Sequence, residues 1–216
     1  MTVHAPVPDY VAARQAMVDS QLRPQGVNDP AVIEAMSLIP RERFVPDALK
    51  PMAYVDRAIP VEDSRAMPAP AVIGLLLTAL APVRGERALV VGAGTGYSAA
   101  VLTEMGIATD AVESSSSLAA AARQNGVNVV EGELESGHPK GGAYDIVLID
   151  GAVEMIPDAI VEQLTDGGRL GAAIVDKGIT RLIVGRKAGT GFGYLTIADA
   201  STPVLPGFRR PHAFTF

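Results

Sequence analysis

The feature that most constrains this chain is a five-residue stretch, Gly92-Ala-Gly-Thr-Gly96, set between an apolar run and a helical one. Before it, Ala88-Leu-Val-Val91 has the character of a short buried strand, and after it helical spacing continues through Met105. Glycines at such a junction let bare amides and a helix N-terminus approach a ligand closely. The alternation then repeats. Asp110–Glu113 predicts a second strand, Ser115–Asn125 an alanine-rich helix, Val127–Val130 a third strand and Tyr144–Asp150 a fourth. Ile156–Leu164 predicts a helix stopped by Gly167-Gly168, and Arg169–Val175 a fifth strand. Central strands apolar on both faces, alternating with helices, predict an α/β fold with a doubly wound, mainly parallel sheet. Segments near Thr180–Arg186, Phe192–Ala198 and Ala213–Phe216 are β-rich and are expected to close it antiparallel. Residues 1–84 read differently, as helices joined by Pro-rich turns. Helical spacing covers Tyr10–Leu22 and Asp29–Ile39, the latter opened by Asp29-Pro30.

Composition narrows the class. The 216 residues are 48% hydrophobic and 19% charged with a mean hydropathy of +0.25, which suits one folded α/β domain with a full core. Eighteen Lys and Arg against 24 Asp and Glu leave a formal charge of −6, the wrong balance for a nucleic-acid or anionic-membrane binder. Cysteine is absent, which excludes disulfides, thiolate zinc sites, iron–sulfur clusters and a cysteine nucleophile. His4, His138 and His212 lack ligand spacing, so no metal site is expected. Met1–Asp9 has neither the basic nor the apolar region of a signal peptide. The longest uncharged run, Met67–Val83, is too short to span a bilayer and predicts a buried helix entering after Pro70 and stopping near Pro82. A soluble, cytoplasmic protein is the expectation.

The loop spacing indicates the ligand. A dinucleotide fingerprint G-x-G-x-x-G needs glycine at position 97, where this chain has Tyr97. The form present, G-x-G-x-G, is associated with S-adenosylmethionine enzymes, whose ligand has no pyrophosphate to cradle. Glu113, 17 residues after Gly96 at the end of the second strand, is placed to accept both ribose hydroxyls. A nucleoside site for S-adenosylmethionine rather than NAD is therefore expected, and Tyr97 argues against a nicotinamide oxidoreductase.

Several segments resemble one family, the protein-L-isoaspartate O-methyltransferases. They are Met17-Val-Asp-Ser-Gln-Leu-Arg23, Ile39-Pro-Arg-Glu-Arg-Phe-Val-Pro46, Ala53-Tyr-Val-Asp-Arg-Ala-Ile-Pro60, Val91-Gly-Ala-Gly-Thr-Gly-Tyr-Ser-Ala-Ala100, and Ile156-Pro-Asp-Ala-Ile-Val-Glu-Gln-Leu164 with Gly167-Gly-Arg-Leu170. The resemblance covers about residues 12–185 in order and spacing. It implies a Rossmann-like methyltransferase fold with a doubly wound, mainly parallel seven-stranded sheet, in which a helical segment, 1–84, packs on a cofactor-binding core with a β-rich tail, 85–216. It also implies a repair enzyme. Such an enzyme moves a methyl group from S-adenosylmethionine to the free carboxylate of L-isoaspartyl or D-aspartyl residues in aged proteins and leaves S-adenosylhomocysteine. A protein or peptide substrate follows. A carboxylate is already nucleophilic toward a sulfonium methyl, so proximity and in-line orientation carry the rate. The cofactor-binding candidates are Gly92, Ala93, Gly94, Thr95, Gly96, Tyr97, Glu113, Ser114, Gly132, Glu133 and Asp150. Ser114 also reads as a helix N-cap, and Tyr97 and Ser98 as packing residues.

Three places depart from the family pattern. The family's loop reads roughly Thr-Ile-Ser-x-Pro before a helix, and its serine is the catalytic hydroxyl. With Pro70 as the shared proline, Ala66, Met67 and Pro68 take the Thr, Ile and Ser positions, and the nearest hydroxyl is Ser64. Val90 stands where such methyltransferases usually carry an acid that holds the methionine part of the cofactor. Asp150-Gly-Ala-Val153 replaces a small neutral stretch. Asp150 reads either as a turn former or as a group at the ligand end of its strand, facing the cofactor ammonium or the acceptor. Facing an isoaspartyl carboxylate at about 4 Å, it would cost roughly 4 kcal/mol at an effective dielectric of about 20, on the order of a thousandfold in binding. The catalytic residue therefore stays open, with Ser64 and Asp150 as candidates. An active repair methyltransferase with an altered loop is the leading reading. A methyltransferase on another acceptor, and a non-catalytic nucleoside-binding or partner protein that keeps the fold, are the alternatives. No motif encodes the oligomeric state.

Overall fold

The computed structural model describes residues 9–210, so the expected strand at Ala213–Phe216, with His4 and His212, lies outside the described residues. Helix α1 (Tyr10–Met17) opens at Asp9, whose carboxylate accepts hydrogen bonds from the amides of Val11 and Ala12. It passes into one π-helical turn, Val18–Leu22, so the expected helix over Tyr10–Leu22 changes register half-way. Helix α2 (Pro30–Leu38) is capped by Asp29 and begins on Pro30, as the Asp-Pro pair dictates.

Residues 59–67 correct the reading of the first 84 residues as helices and turns alone. Strand β1 (Ile59–Glu62) pairs antiparallel with β2 (Arg65–Met67) through a turn in which Ser64 has φ +58°. Two strands this short, one carrying Pro60 and both with charged residues, show too little alternation to be read from sequence. Helix α3 (Pro70–Leu80) follows, starting on Pro70 and buried on most of its surface, as its all-round apolar sequence requires.

The rest alternates as expected: β3 (Arg87–Val91), α4 (Tyr97–Glu104), β4 (Ala108–Glu113), α5 (Ser116–Gln124), β5 (Val129–Glu131), β6 (Tyr144–Val153), α6 (Asp158–Glu162), β7 (Leu164–Asp176), β8 (Ile179–Ala188) and β9 (Gly191–Asp199). The seven-stranded sheet has the order β5-β4-β3-β6-β7-β8-β9. Strands β3 to β7 pair parallel, and β8 and β9 close the sheet antiparallel. Winding reverses between β3 and β6. In sheets of this kind the ligand crevice lies outside the carboxyl ends of the strands at that reversal, here next to Gly92 and Asp150.

Three boundaries differ from the sequence reading. Helix α6 ends at Glu162, not Leu164, and Gly167-Gly168 does not stop it but lies inside β7, where the register against β6 shifts. Asp150-Gly151 is not the end of its strand either, because β6 runs on to Val153 with the parallel bridge Ala152–Val204 beside it. Helix α5 takes its cap from Ser115, which accepts from the Leu118 amide, rather than from Ser114.

Alternate strand residues feed two buried clusters. Val90, Leu148 and Ala152 join the N-terminal helices and α3 in one, while Leu89, Val91, Val147 and Ile149 join Ile160 and Phe208 in the other. Val90 is therefore an ordinary core residue. Among the described residues no helix is long and apolar enough to cross a membrane.

Candidate functional site

Gly92–Gly96 links the end of β3 to the start of α4, as its sequence requires. Gly96 has φ +97°, and a Cβ there would lie 2.6 Å from Val127 Cγ2, so only glycine lets α4 sit this close to its neighbours. Two bonds tie the loop down. Thr95 Oγ1 donates to the Phe44 carbonyl at 2.6 Å, and Asn125 Nδ2 donates to the Thr95 carbonyl at 3.0 Å.

Glu113 stands at the end of β4 beside this loop, fully buried. The Gly94 amide donates to its Oε2 at 2.7 Å, and the amides of Ser114 and Ser115 donate to its Oε1 at 2.8 and 3.0 Å. Loop and carboxylate are thus brought together as the sequence predicts. Glu113 has a further partner that the sequence reading did not foresee. Arg65 of β2 donates from Nη1 and Nη2 to Glu113 Oε1 and Oε2 at 2.6 and 2.7 Å, and from Nη2 to the Gly92 carbonyl at 3.1 Å. This is a two-pronged, charge-assisted pair inside the protein. No local pattern marks Arg65, because its partner lies 48 positions away on another element. Leu205 occupies the remaining space: a Cβ at Gly92 would lie 2.8 Å from its Cδ1, and a Cβ at Gly151 2.6 Å from its Cγ.

A second polar group lies next to the first. Asp150 of β6 is buried, and its Oδ1 has no hydrogen-bond partner. Burial pushes its carboxyl up to about 6, against the lowering influence of the Ser98 hydroxyl and the guanidinium groups of Arg65 and Arg41. Ser98 Oγ, the Tyr97 hydroxyl and Arg41 Nη1 are likewise buried and unpartnered. Arg41 itself is held by its other nitrogens, Nε donating to the Ala53 carbonyl at 2.8 Å and Nη2 to the Pro68 carbonyl at 2.9 Å, with its guanidinium 4.5 Å from the Tyr97 ring centre. Burial raises the Tyr97 hydroxyl above its ordinary range. Arg41 was missed in the sequence because it reads there as one charge of a surface-like Arg-Glu-Arg turn.

The remaining candidates are more peripheral. Ser64 is exposed at the hairpin turn, where with Leu205, Pro206 and Arg209 it lines a surface cavity of about 320 Å³. Pro68, at the serine position of the resemblance, is buried and offers only its carbonyl, which Arg41 takes. Ser114, Gly132 and Glu133 are exposed at the ends of β4 and β5, and the Gly132 amide donates to the Glu113 carbonyl at 3.1 Å.

These residues fit an adenosine-bearing ligand by donor type. A carboxylate suited to ribose hydroxyls and a loop amide converge at the strand ends where the winding reverses, with Ser114 and Glu133 exposed at the ends of β4 and β5. In this conformation the chain's own Arg65 and Leu205 meet those groups instead.

Comparison with known proteins agrees with this architecture. The family model described as Protein-L-isoaspartate(D-aspartate) O-methyltransferase matches residues 12–200. A protein-L-isoaspartate O-methyltransferase of Methylorubrum extorquens strain PA1 is 41% identical over 171 residues, 76% of this chain and 75% of that one. One from Herpetosiphon aurantiacus is 34% identical over 201 residues, 90% of each chain. A solved protein-L-isoaspartate O-methyltransferase superposes with a TM-score of 0.78 at 25% identity, covering 90% of this chain and 66% of that longer one. A Plasmodium falciparum structure, titled a putative member in complex with S-adenosyl-L-homocysteine, has a TM-score of 0.77 at 16% identity, covering 92% and 99%.

Proposed function

The chain belongs to the protein-L-isoaspartate(D-aspartate) O-methyltransferase family, and we propose that it transfers a methyl group from S-adenosylmethionine to a carboxylate of damaged aspartyl residues in proteins. The family is S-adenosylmethionine-dependent and acts in isoaspartate repair. The observation that carries the reading is the Glu113 carboxylate on the Gly94 amide, at the reversal point of a chain matched to the family from residue 12 to 200. When bound, S-adenosylmethionine supplies a methyl group on a positively charged sulfur.

The chain's own residues then have four tasks. Glu113, steadied by the Gly94 amide, holds the ribose hydroxyls, and the Gly92–Gly96 loop lies against the ligand, with Ala93, Thr95 and Tyr97 shaping the loop. Ser114, Gly132 and Glu133 border the adenine side. Asp150 faces the reacting end. At the position of the family's serine Pro68 carries no hydroxyl, and Ser64 is exposed at the hairpin turn. Orientation of the acceptor therefore falls to the buried polar groups of Arg41, Tyr97, Ser98 and Asp150.

Asp150 makes the reaction pH-dependent. With its carboxyl raised to about 6, it is neutral below that pH and can donate a hydrogen bond to an acceptor carboxylate. Above it, the two negative charges repel. The test is methyl transfer to an isoaspartyl peptide, with the aspartyl peptide as control, across this range. KM for the isoaspartyl peptide should rise as pH passes 6, and Asp150→Asn should flatten the profile. Equal rates on both peptides would overturn the isoaspartate reading. An unpaired buried carboxylate at this position also favours a second reading, a neutral or cationic acceptor, for which KM would be lowest above pH 6.

A further inference from the structure

Arg65 stands where the ribose has to go. A carboxylate has about four lone-pair sites, and those of Glu113 are taken by three backbone amides and both prongs of the guanidinium. Nothing is left for two ribose hydroxyls. The amides of Gly94, Ser114 and Ser115 belong to the loop and the start of α5 and would remain with a ligand bound. Arg65 arrives instead on a two-stranded hairpin outside the main sheet, so it is the partner that can leave.

A second element closes the same crevice from the other side. The Leu205 amide donates to the Ala152 carbonyl at 2.8 Å, and the Ala152 amide to the Pro203 carbonyl at 2.9 Å. Further on, the Glu154 amide donates to the Phe208 carbonyl at 2.9 Å, and Phe208 is fully buried. These bonds seat the Leu205 side chain on Gly92, the first residue after β3, and on Gly151 of β6, on either side of the winding reversal. Glycine at both gives the side chain its seat. Hairpin and tail also meet, because Ser64 and residues 204–207 line one surface cavity.

Taking the methyltransferase reading as its basis, we propose that Arg65 and Leu205 form an internal plug of the cofactor cleft, with Arg65 as the residue that sets cofactor affinity. The ribose competes with the guanidinium for Glu113, and an adenosine-bearing ligand binds only the fraction of molecules whose hairpin has left that carboxylate. Apparent affinity falls by that fraction. A variant that weakens the Arg65–Glu113 pair binds more tightly, the opposite of what a residue supporting the site would do.

The experiment is calorimetric titration of S-adenosylhomocysteine into the full-length wild type, Arg65→Gln and Arg65→Gln/Leu205→Ala, with hydrogen–deuterium exchange of residues 59–67 and 203–208 measured without ligand. The expected result is binding at least about tenfold tighter in Arg65→Gln than in wild type, tighter still in the double variant, and faster exchange in the hairpin. If Arg65→Gln fails to fold, Arg65→Lys keeps the charge but loses the fork, and a several-fold tightening is expected. Wild type binding as tightly as the variants, or more tightly, overturns the plug and leaves the methyltransferase reading standing. Folded variants with a faster-exchanging hairpin and no binding in any of them overturn both.

Discussion

Glu113 and Asp150 lie at the same edge of one sheet, both buried and both acidic, yet the fold treats them in opposite ways. Glu113 receives a guanidinium and three amides, so every lone pair is met and the charge is balanced. Asp150 keeps an oxygen with no partner and sits beside three other buried polar atoms in the same condition, on Ser98, Tyr97 and Arg41. One site is closed by the protein itself. The other keeps a buried carboxylate that no guanidinium clamps.

The comparison can be broken most forcefully at Glu113. Glu113→Ala leaves Arg65 buried without its counterion, and chemical denaturation should show a loss of about 3–5 kcal/mol. Replacing both partners with apolar residues, as in Arg65→Met/Glu113→Leu, should recover most of that loss. If the double variant is as unstable as the single one, the pair is not the source.

Asp150→Asn should move stability the other way, with a defined pH signature. The folded carboxyl titrates at about 6 and the unfolded one near 3.8, so the native state holds the extra proton between them. Wild-type stability is therefore highest from this group below pH 4, falls as pH rises through 6, and levels off above 7. At pH 8 the variant should gain on the order of 3 kcal/mol over wild type, from a shift of about two units at roughly 1.4 kcal/mol each. At pH 4 the gain should vanish. Denaturation curves at the two values decide it, and an equal difference at both would remove Asp150 as the titrating group.

Gly96→Ala places a Cβ 2.6 Å from Val127 Cγ2 at φ +97° and should lose about 1–3 kcal/mol. Smallest of all, Tyr97→Phe removes a buried hydroxyl that has no partner. It should change stability by less than about 1 kcal/mol and in the stabilising direction. A large loss would mean that the hydroxyl is satisfied after all.

The legible part of this molecule is the part written in local pattern. The apolar runs of β3 and β6, buried on both faces, and the Asp29-Pro30 helix start were readable because each signal lies within a few residues of the structure it specifies. The glycine loop and Glu113 were readable for the same reason. What escaped depends on distant partners. Arg65 meets Glu113 across 48 positions, and Leu205 meets Gly92 and Gly151 across more than 50, so neither leaves a local trace. The tail seated beside Ala152 also carries β6 past an Asp-Gly pair that reads as a turn. Tertiary bonds overrode local turn chemistry there, as they did at Gly167-Gly168 inside β7.

The most direct test of the closed cleft is the nitrogen–proton NMR spectrum of the Arg65 guanidinium as S-adenosylhomocysteine is added. Held on Glu113, the guanidinium rotates slowly and gives separate, exchange-protected signals. The plug requires those signals to collapse as the ligand shifts the amides of Gly92–Gly96. If the loop amides shift while the Arg65 signals stay unchanged, ligand and arginine occupy the site together, and the guanidinium is part of the cofactor site rather than its plug.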